Sequence, residues 1–492
     1  MRYSVAMTGD TAAVRRDHLL RSDGQEDVLI ATYVLSTGLE RTTAIIHSVI
    51  LPRDGERHVH DNASFTGAYV LRAAHEARLA GHGLVLLHSH PGGEGWQQLS
   101  RTDWETESDY ERVARTATKM PLLGMTLGGE DTAWSARFWF DKTKPTWAES
   151  VRCVSPTLAV TWNDTQRAAP RVTRAQERTV SSWGDRAQAS IARLRVLVVG
   201  GGSVGLDVAQ RLAATGLITV GVMDYDAVEP RNLDRMIGAT RLDAALGRAK
   251  VDVAARLMRS AATAEDIEVR RHEVSITDPV GVEIALDYDV IFSCVDRPWP
   301  RAVLNGIAYS DLIPVIDGGI ALTTFIDGRM RNGIWRGHTL VPGRPCMGCL
   351  GQLVAGEVAL DKLDLLENPA YIDGANRKAP SHQNVAALSA SVSSMLLTHF
   401  VSLTAHPGGR GAPEPLQYVL STHQLHRSTA SCGPYCAYGN ATGAGDRRTP
   451  IAEHRTDWKQ IVKGRRAAKQ PLRRRLLAWG EHLVQQQINR LS

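Results

Sequence analysis

Residues 195–205 read RVLVVGGGSVG: a short apolar run, then glycines at 200, 202 and 205, then LDVAQRLAATG over 206–216 with helical spacing. The next apolar run, ITVGVMDYD at 218–226, ends in acids. Strand, glycine turn, helix, strand is the local signature of a βαβ unit, and the continuous apolar runs suit parallel strands buried on both faces. IEVRRHEVSI at 267–276 and DVIFSCVD at 289–296 supply two more strands. The expected fold class is α/β, with a doubly wound parallel sheet over 195–445.

Upstream the pattern is different. VLIATYVL and TTAIIHSVIL flank a turn at STGLER, AYVLRAAHEARLAG has helical spacing, and LVLLHSHP, PLLGMTLGG and SARFWF read as further strands. This is an α+β unit over 1–150. Residues 151–194 read as an irregular linker and an arm of the second unit. Residues 446–492 read as a basic helical tail.

The chain has 492 residues, with an apolar fraction of 43% and a charged fraction of 22%, which suits a globular protein of several domains. No run of apolar residues has the length of a membrane helix, and the N-terminus lacks the apolar core of a secretory signal. The expected compartment is the cytoplasm. The net charge is +5, but residues 451–492 alone carry +7, so the rest is close to neutral at −2. Basic character confined to a tail gives no reason to expect nucleic-acid binding. The tail is expected to be a solvated helix packed on the domain.

A glycine turn of this kind lets the backbone approach phosphates and aims a helix N-terminus at them. By itself it also fits a dehydrogenase, with Asp224 on a ribose in either case. Three downstream segments narrow the choice: DYDAVEPRNLDR at 224–235, GRAK at 247–250 and SCVDRP at 293–298. This set resembles the ThiF-type, ubiquitin-activating-like adenylyltransferases. The resemblance implies that Gly200, Gly202 and Gly205 cradle ATP and that Asp224 holds the ribose. Asn232, Arg235 and Lys250 would hold the triphosphate, and Asp296 would bind Mg²⁺. In that family an arginine from the partner subunit also reaches the phosphates, and Arg178 in QERTVSSWG is the candidate. Adenylation brings a carboxylate to a phosphate, so cations are needed to offset the repulsion.

The stretch HSHPGGEGWQQLSRTD at 88–103 carries a second chemistry. His88 and His90, two apart at a strand end, project to one side, and Asp103 is placed to complete a three-ligand zinc set with a position left for water. The stretch resembles the JAB/JAMM (MPN+) metallopeptidases, whose pattern is an upstream Glu, then His-Ser/Thr-His-Pro, then Ser-x-x-Asp. The nine residues between His90 and Ser100 form a longer spacer than that pattern carries. The resemblance implies a catalytic Zn²⁺ on His88, His90 and Asp103. It also implies Glu26 as general base, with Glu40 as the alternative, and Ser100 at the developing oxyanion.

Six cysteines remain. Cys346 and Cys349 form CxxC, and Cys432 and Cys436 form CxxxC. Close pairs of this kind suggest a structural Zn²⁺ held by four thiolates. RPCMGCL resembles an element that ThiF-type proteins carry after the sheet. Cys294 reads as a packed residue, and Cys153 as an unsupported nucleophile in the linker.

Together the two resemblances imply one pathway. The first unit would trim or deconjugate a ubiquitin-like protein with a C-terminal glycine, and the second would adenylate its carboxylate. Bacterial ubiquitin-like systems, some of them antiphage, use these parts, and so do sulfur-carrier pathways. The alternatives are sulfur-carrier activation toward a thiocarboxylate and a nucleotide-binding scaffold without catalysis. Expected partners are the carrier itself, a second copy in a homodimer, and a conjugating-enzyme-like protein. No membrane partner is expected.

Overall fold

The fold was obtained as a computed structural model, which describes residues 1–60, 62–366, 383–455 and 457–467. Two large sheets organise the chain. The first is mixed and nine-stranded, in the order Leu158–Trp162, Ser150–Val154, Arg2–Thr8, Arg41–Ile50, Val28–Thr37, Gly83–His90, Leu122–Gly128, Trp134–Trp139, Thr146–Trp147. Helix Gly67–Ala80 starts on a Thr66 side-chain cap and ends on Gly81, whose φ of 67° suits a residue without Cβ. It covers one face of the sheet beside helix Arg101–Thr118.

Residues 150–162 correct the linker expectation. Ser150–Val154 pairs in parallel with Arg2–Thr8, Val151 opposite Val5, and Leu158–Trp162 pairs back on it. The turn between them is closed by Ser155, whose Oγ donates to the Thr157 carbonyl at 2.9 Å. Strand Arg2–Thr8, which carries no strong signal of its own, is central because it has a partner on each side.

The second sheet has eight strands in the order Glu268–His272, Thr219–Met223, Arg195–Val199, Val290–Ser293, Val315–Thr324, Met330–Leu340, Leu416–Val419, Gln424–Arg427. The first five run parallel, and the last three extend the sheet antiparallel. Val196, Leu197 and Val198 are fully buried, as parallel central strands require. Strand order reverses between Arg195–Val199 and Val290–Ser293, which opens a crevice at their carboxyl ends.

Helix Ala386–Ala405 is apolar and 20 residues long, the one described helix that meets the length and composition of a membrane span. Its residues Leu388, Val392, Leu396, Phe400 and Leu403 recur on one face and lie buried in the core under the second sheet.

The sheets are joined by buried polar contacts. The Glu40 and Arg41 backbone N–H groups donate to the Asp287 carboxylate at 2.9 and 2.8 Å. The Arg41 guanidinium pairs with Asp289. Arg195 makes two bonds to Glu149, at 2.6 and 2.9 Å. Farther along, Ser36 and Arg448 both donate to Asp311. Residues 457–467 of the tail form a helix, and Arg465 in it pairs with Glu273; the rest of the tail, 468–492, lies outside the described residues.

Candidate functional site

The crevice of the second sheet is a cleft of about 1010 Å³ lined by Gly200, Gly202, Asp224, Asn232, Arg235, Lys250 and Asp296. Local geometry explains each glycine. Gly200 has φ +97°, and a Cβ there would stand 2.4 Å from the Cys294 carbonyl. A Cβ on Gly205 would stand 1.8 Å from the Gly200 carbonyl, so only glycine lets helix Ser203–Ala214 pack this close to its strand. At Gly202 nothing lies within 4 Å of the Cβ position. That open space, at the start of a helix, fits a phosphate.

Asp224 follows strand Thr219–Met223. Its carboxylate accepts from the Gly201 and Asp226 N–H groups, both at 2.7 Å. Burial pushes the Asp224 carboxyl up against the pull of Lys250. Lys250 opens helix Lys250–Ala261 and donates to Asp226 at 2.8 Å, with Asp224 at 3.8 Å. Burial lowers the Lys250 ammonium, but Asp224, Asp226 and Asp296 outweigh it and raise it to about 12. The result is a half-buried positive charge, fixed beside the glycine turn.

Asn232 Oδ1 caps its own turn by accepting from Glu229 N–H at 2.9 Å. Arg235 donates to the Arg231 carbonyl at 2.6 Å and to Asp234 at 2.7 Å. Asp296 is exposed at the rim of the cleft. Arg178 lies exposed on helix Glu177–Trp183, outside the lining of its own chain's cleft.

Sequence reasoning missed a group at the cleft: Arg301 and Arg336 line it, and both bond to Asp317 beneath. Asp317 is fully buried and takes hydrogen bonds from Ser293, Arg301 and Arg336. Burial raises its carboxyl, but the two guanidiniums prevail and hold it at about 2. The one available signal was an acid inside the apolar strand VIDGGI, which a buried cation must balance.

The histidine loop forms a second cluster. His88 Nε2 and His90 Nε2 lie 3.2 Å apart. Each stands 3.4 Å from an Asp103 carboxylate oxygen. Ligand atoms converging in this way, all within 4.8 Å of one another, match the donor set of a zinc site. Ser100 and Asp103 also form the capping box of helix Arg101–Thr118: Ser100 Oγ accepts from Asp103 N–H at 3.1 Å, and Asp103 accepts in return at 3.0 Å. That cap aims Asp103 at the histidines. Gln97 Oε1 lies 3.2 Å from His90 Nδ1 and orients the ring. Strand register sets Val28 opposite His88, so Glu26 is near the cluster, and its field helps raise His90, after the larger effect of Asp103. Glu40 instead pairs with Arg2 and Arg270 where the sheets meet.

The two cysteine pairs, distant in sequence, also converge. Cys346 Sγ and Cys436 Sγ are 3.5 Å apart, and all four sulfurs lie within 4.8 Å of one another. Backbone N–H groups of Cys349 and Gly439 point at Cys346 and Cys436 sulfurs at 3.3 and 3.2 Å. The four could hold a zinc ion, with the amides stabilising thiolate charge. None of the six cysteines is in a disulfide. Cys153 sits on strand Ser150–Val154 rather than in a linker, and burial pushes its thiol up to about 12, which disfavours a nucleophilic thiolate. Burial raises Cys294 likewise.

The ThiF family model matches residues 174–433, more than half of the chain, including every cleft residue named above. The chain belongs to the ThiF family. This ThiF chain is 29% identical over 182 residues to the adenylyltransferase and sulfurtransferase MOCS3 of Caenorhabditis briggsae, covering 35% of this chain and 40% of that protein. It is 36% identical over 122 residues to the MOCS3 of Bos taurus, covering 25% of this chain and 26% of that one. The chain thus spans well under half the length of these curated relatives. Among solved structures, Escherichia coli MccB with succinimide aligns at a TM-score of 0.42 and 18% identity, over 54% of this chain and 74% of that one.

Proposed function

We propose that this ThiF chain activates the C-terminal carboxylate of a small, glycine-ended carrier protein by ATP-dependent adenylation. The observation that carries the reading is Lys250, a half-buried ammonium held by Asp224 and Asp226 beside the glycine turn. In the reaction a carboxylate oxygen bonds to the α-phosphorus, the bond to the bridging oxygen breaks, and pyrophosphate leaves. Gly200 and Gly202 supply close backbone approach, and Asp224 holds the ribose. Lys250 offsets the charge of the two anions that meet and of the departing pyrophosphate. Arg235, half-buried and bonded within its own turn, swings onto the phosphates from there, and Asn232 fixes that turn. Asp296 at the rim is the residue that would hold Mg²⁺, which supplies further charge neutralisation when bound. Arg178 is assigned to the cleft of a second copy.

The relatives' names, adenylyltransferase and sulfurtransferase, favour a sulfur carrier as the substrate. The test is carrier-dependent exchange of labelled pyrophosphate into ATP. Exchange that requires both a carrier and its free terminal carboxylate supports the reading, and thiocarboxylate formed on adding a sulfur donor identifies the carrier as one of sulfur. ATP binding with no exchange for any such carrier favours a scaffold.

A second reading is favoured by the convergence of His88, His90 and Asp103. We propose that these residues hold a zinc ion, which when bound lowers the pKa of a coordinated water. Glu26 would be the proton acceptor beside that ion, and Ser100, whose oxygen caps the helix, would be a hydroxyl donor at the same point. This first unit would then process or deconjugate the same carrier. Release of a C-terminal extension from the carrier, lost in Glu26→Gln, is the check.

A further inference from the structure

We propose that Arg336 is the carboxylate anchor of the cleft, receiving the terminal carboxylate of the acyl donor; the inference rests on the adenylation reading. Gly319, Arg336 and Gln417 are register partners across three adjacent strands and all line the cleft, so they share one face of the sheet. Gly319 makes room for the guanidinium: a Cβ there would stand 3.0 Å from Arg336 Nη2.

One edge of the guanidinium is held in place. Nη1 donates to Asp317 at 3.1 Å and to Gln352 Oε1 at 2.8 Å. Its Nε and Nη2 have no hydrogen-bond partner among the described residues. Arg301 also spends its charge on Asp317, so two guanidiniums share one buried carboxylate and a positive charge is left over. A forked donor with a free edge and spare charge suits a carboxylate.

Position argues for the donor's carboxylate rather than a phosphate of ATP. Asp317 also binds Ser293, which precedes Cys294, the residue lying under Gly200. The guanidinium therefore reaches toward the glycine turn. Asp224 lies on the opposite flank, because strand Thr219–Met223 and strand Met330–Leu340 are on either side of Arg195–Val199. A nucleotide with its ribose on Asp224 and its phosphates at the glycines leaves Arg336 on the side from which the second anion comes. Gln352 in turn donates its N–H to the Met347 carbonyl at 2.9 Å, so the cysteine loop sets the pose of the guanidinium.

The test compares two fluorescent peptides ending in Gly-Gly, one with a free carboxylate and one amidated. Each is titrated by anisotropy with the full chain in the presence of a non-hydrolysable ATP analogue. Wild type is expected to prefer the acid by about tenfold or more, the scale of a charged hydrogen bond. Arg336→Gln is expected to lose that preference while holding the ATP analogue as before. Arg301 still neutralises Asp317 in that variant, and Arg336→Lys, which keeps the charge but not the fork, is the second variant, expected to lose most of the preference. An acid preference retained in both variants overturns the inference, as does equal binding of both peptides by wild type. Failure of the adenylation reading shows separately, as absent pyrophosphate exchange in wild type.

Discussion

Arg152 Nη1 stands 3.1 Å from Asp289 Oδ1 with both side chains fully buried, joining the edge region of the first sheet to the residue just before a central strand of the second. Arg41 pairs with the same carboxylate, and the Arg195 N–H donates to it at 2.9 Å. Burial raises the Asp289 carboxyl, but these neighbours overcome that and hold it well below the usual range. Asp289→Ala leaves two guanidiniums buried without their shared anion. Breaking such a pair costs about 3–5 kcal/mol. The expected result is a large fall in the urea midpoint, with Asp289→Asn losing less; an unchanged midpoint would show that the joint contributes little.

Gly205→Ala tests the glycine turn. Its Cβ would meet the Gly200 carbonyl at 1.8 Å, so the helix must move away from its strand. Affinity for an ATP analogue is expected to fall by about tenfold or more, with secondary structure by circular dichroism retained.

Lys250→Ala removes the fixed cation and leaves Asp224 and Asp226 facing each other. Pyrophosphate exchange is expected to fall by about a hundredfold or more, the scale for losing one preorganised charge donor. Lys250→Arg should recover part of it. Exchange within twofold of wild type in the alanine variant would remove Lys250 from the mechanism.

Zinc content separates the two metal clusters. Wild type is expected to carry two zinc ions per chain by elemental analysis, and His88→Ala/His90→Ala one. Cys346→Ser/Cys436→Ser is expected to lose the other and to lower thermal stability, because that ion ties together segments distant in sequence. One zinc in both wild type and the histidine variant would withdraw the peptidase reading.

Acid should destabilise the protein in a defined window. Burial lowers His338 and His399 to about 4, and burial with Arg270 does the same for His272. The unfolded chain takes up these protons from about pH 6.5 downward, while the folded chain refuses them until about pH 4. Their contribution is full above pH 6.5 and is lost as pH falls toward 4. Urea midpoints should be flat from pH 7 to 8 and decline from 6.5 to 4.5, less steeply in His338→Gln/His399→Gln.

The features legible in the sequence were local ones. The glycines at 200 and 202, the acid after the second strand, Asn232, Arg235 and Lys250 follow one another closely along a βαβ unit and the segment after it, and the structure brings them to one cleft, with Gly205 packing the helix onto its strand. HSHP and Ser-x-x-Asp were legible for the same reason: a strand end and a helix cap each set direction within a few residues. Strands 150–162 were not legible, because CVSPTLAVTW becomes a strand pair only when Arg2–Thr8 offers its edge. Asp317, Arg301 and Arg336 were missed because a cation's role there depends on a carboxylate one strand or a helix away.

By itself, the sequence determined which segments turn, which bury both faces and which donors recur at ligand spacing, since hydrophobic period and glycine conformation act over a few residues. The tertiary structure decided which distant groups meet. Asp289 chooses its arginines, the two cysteine pairs close on one point, and Arg336 keeps a free edge. The physical reason is that burying a charge or a thiolate is costly until its partner arrives, and that partner is supplied by the packing of whole sheets rather than by neighbours along the chain.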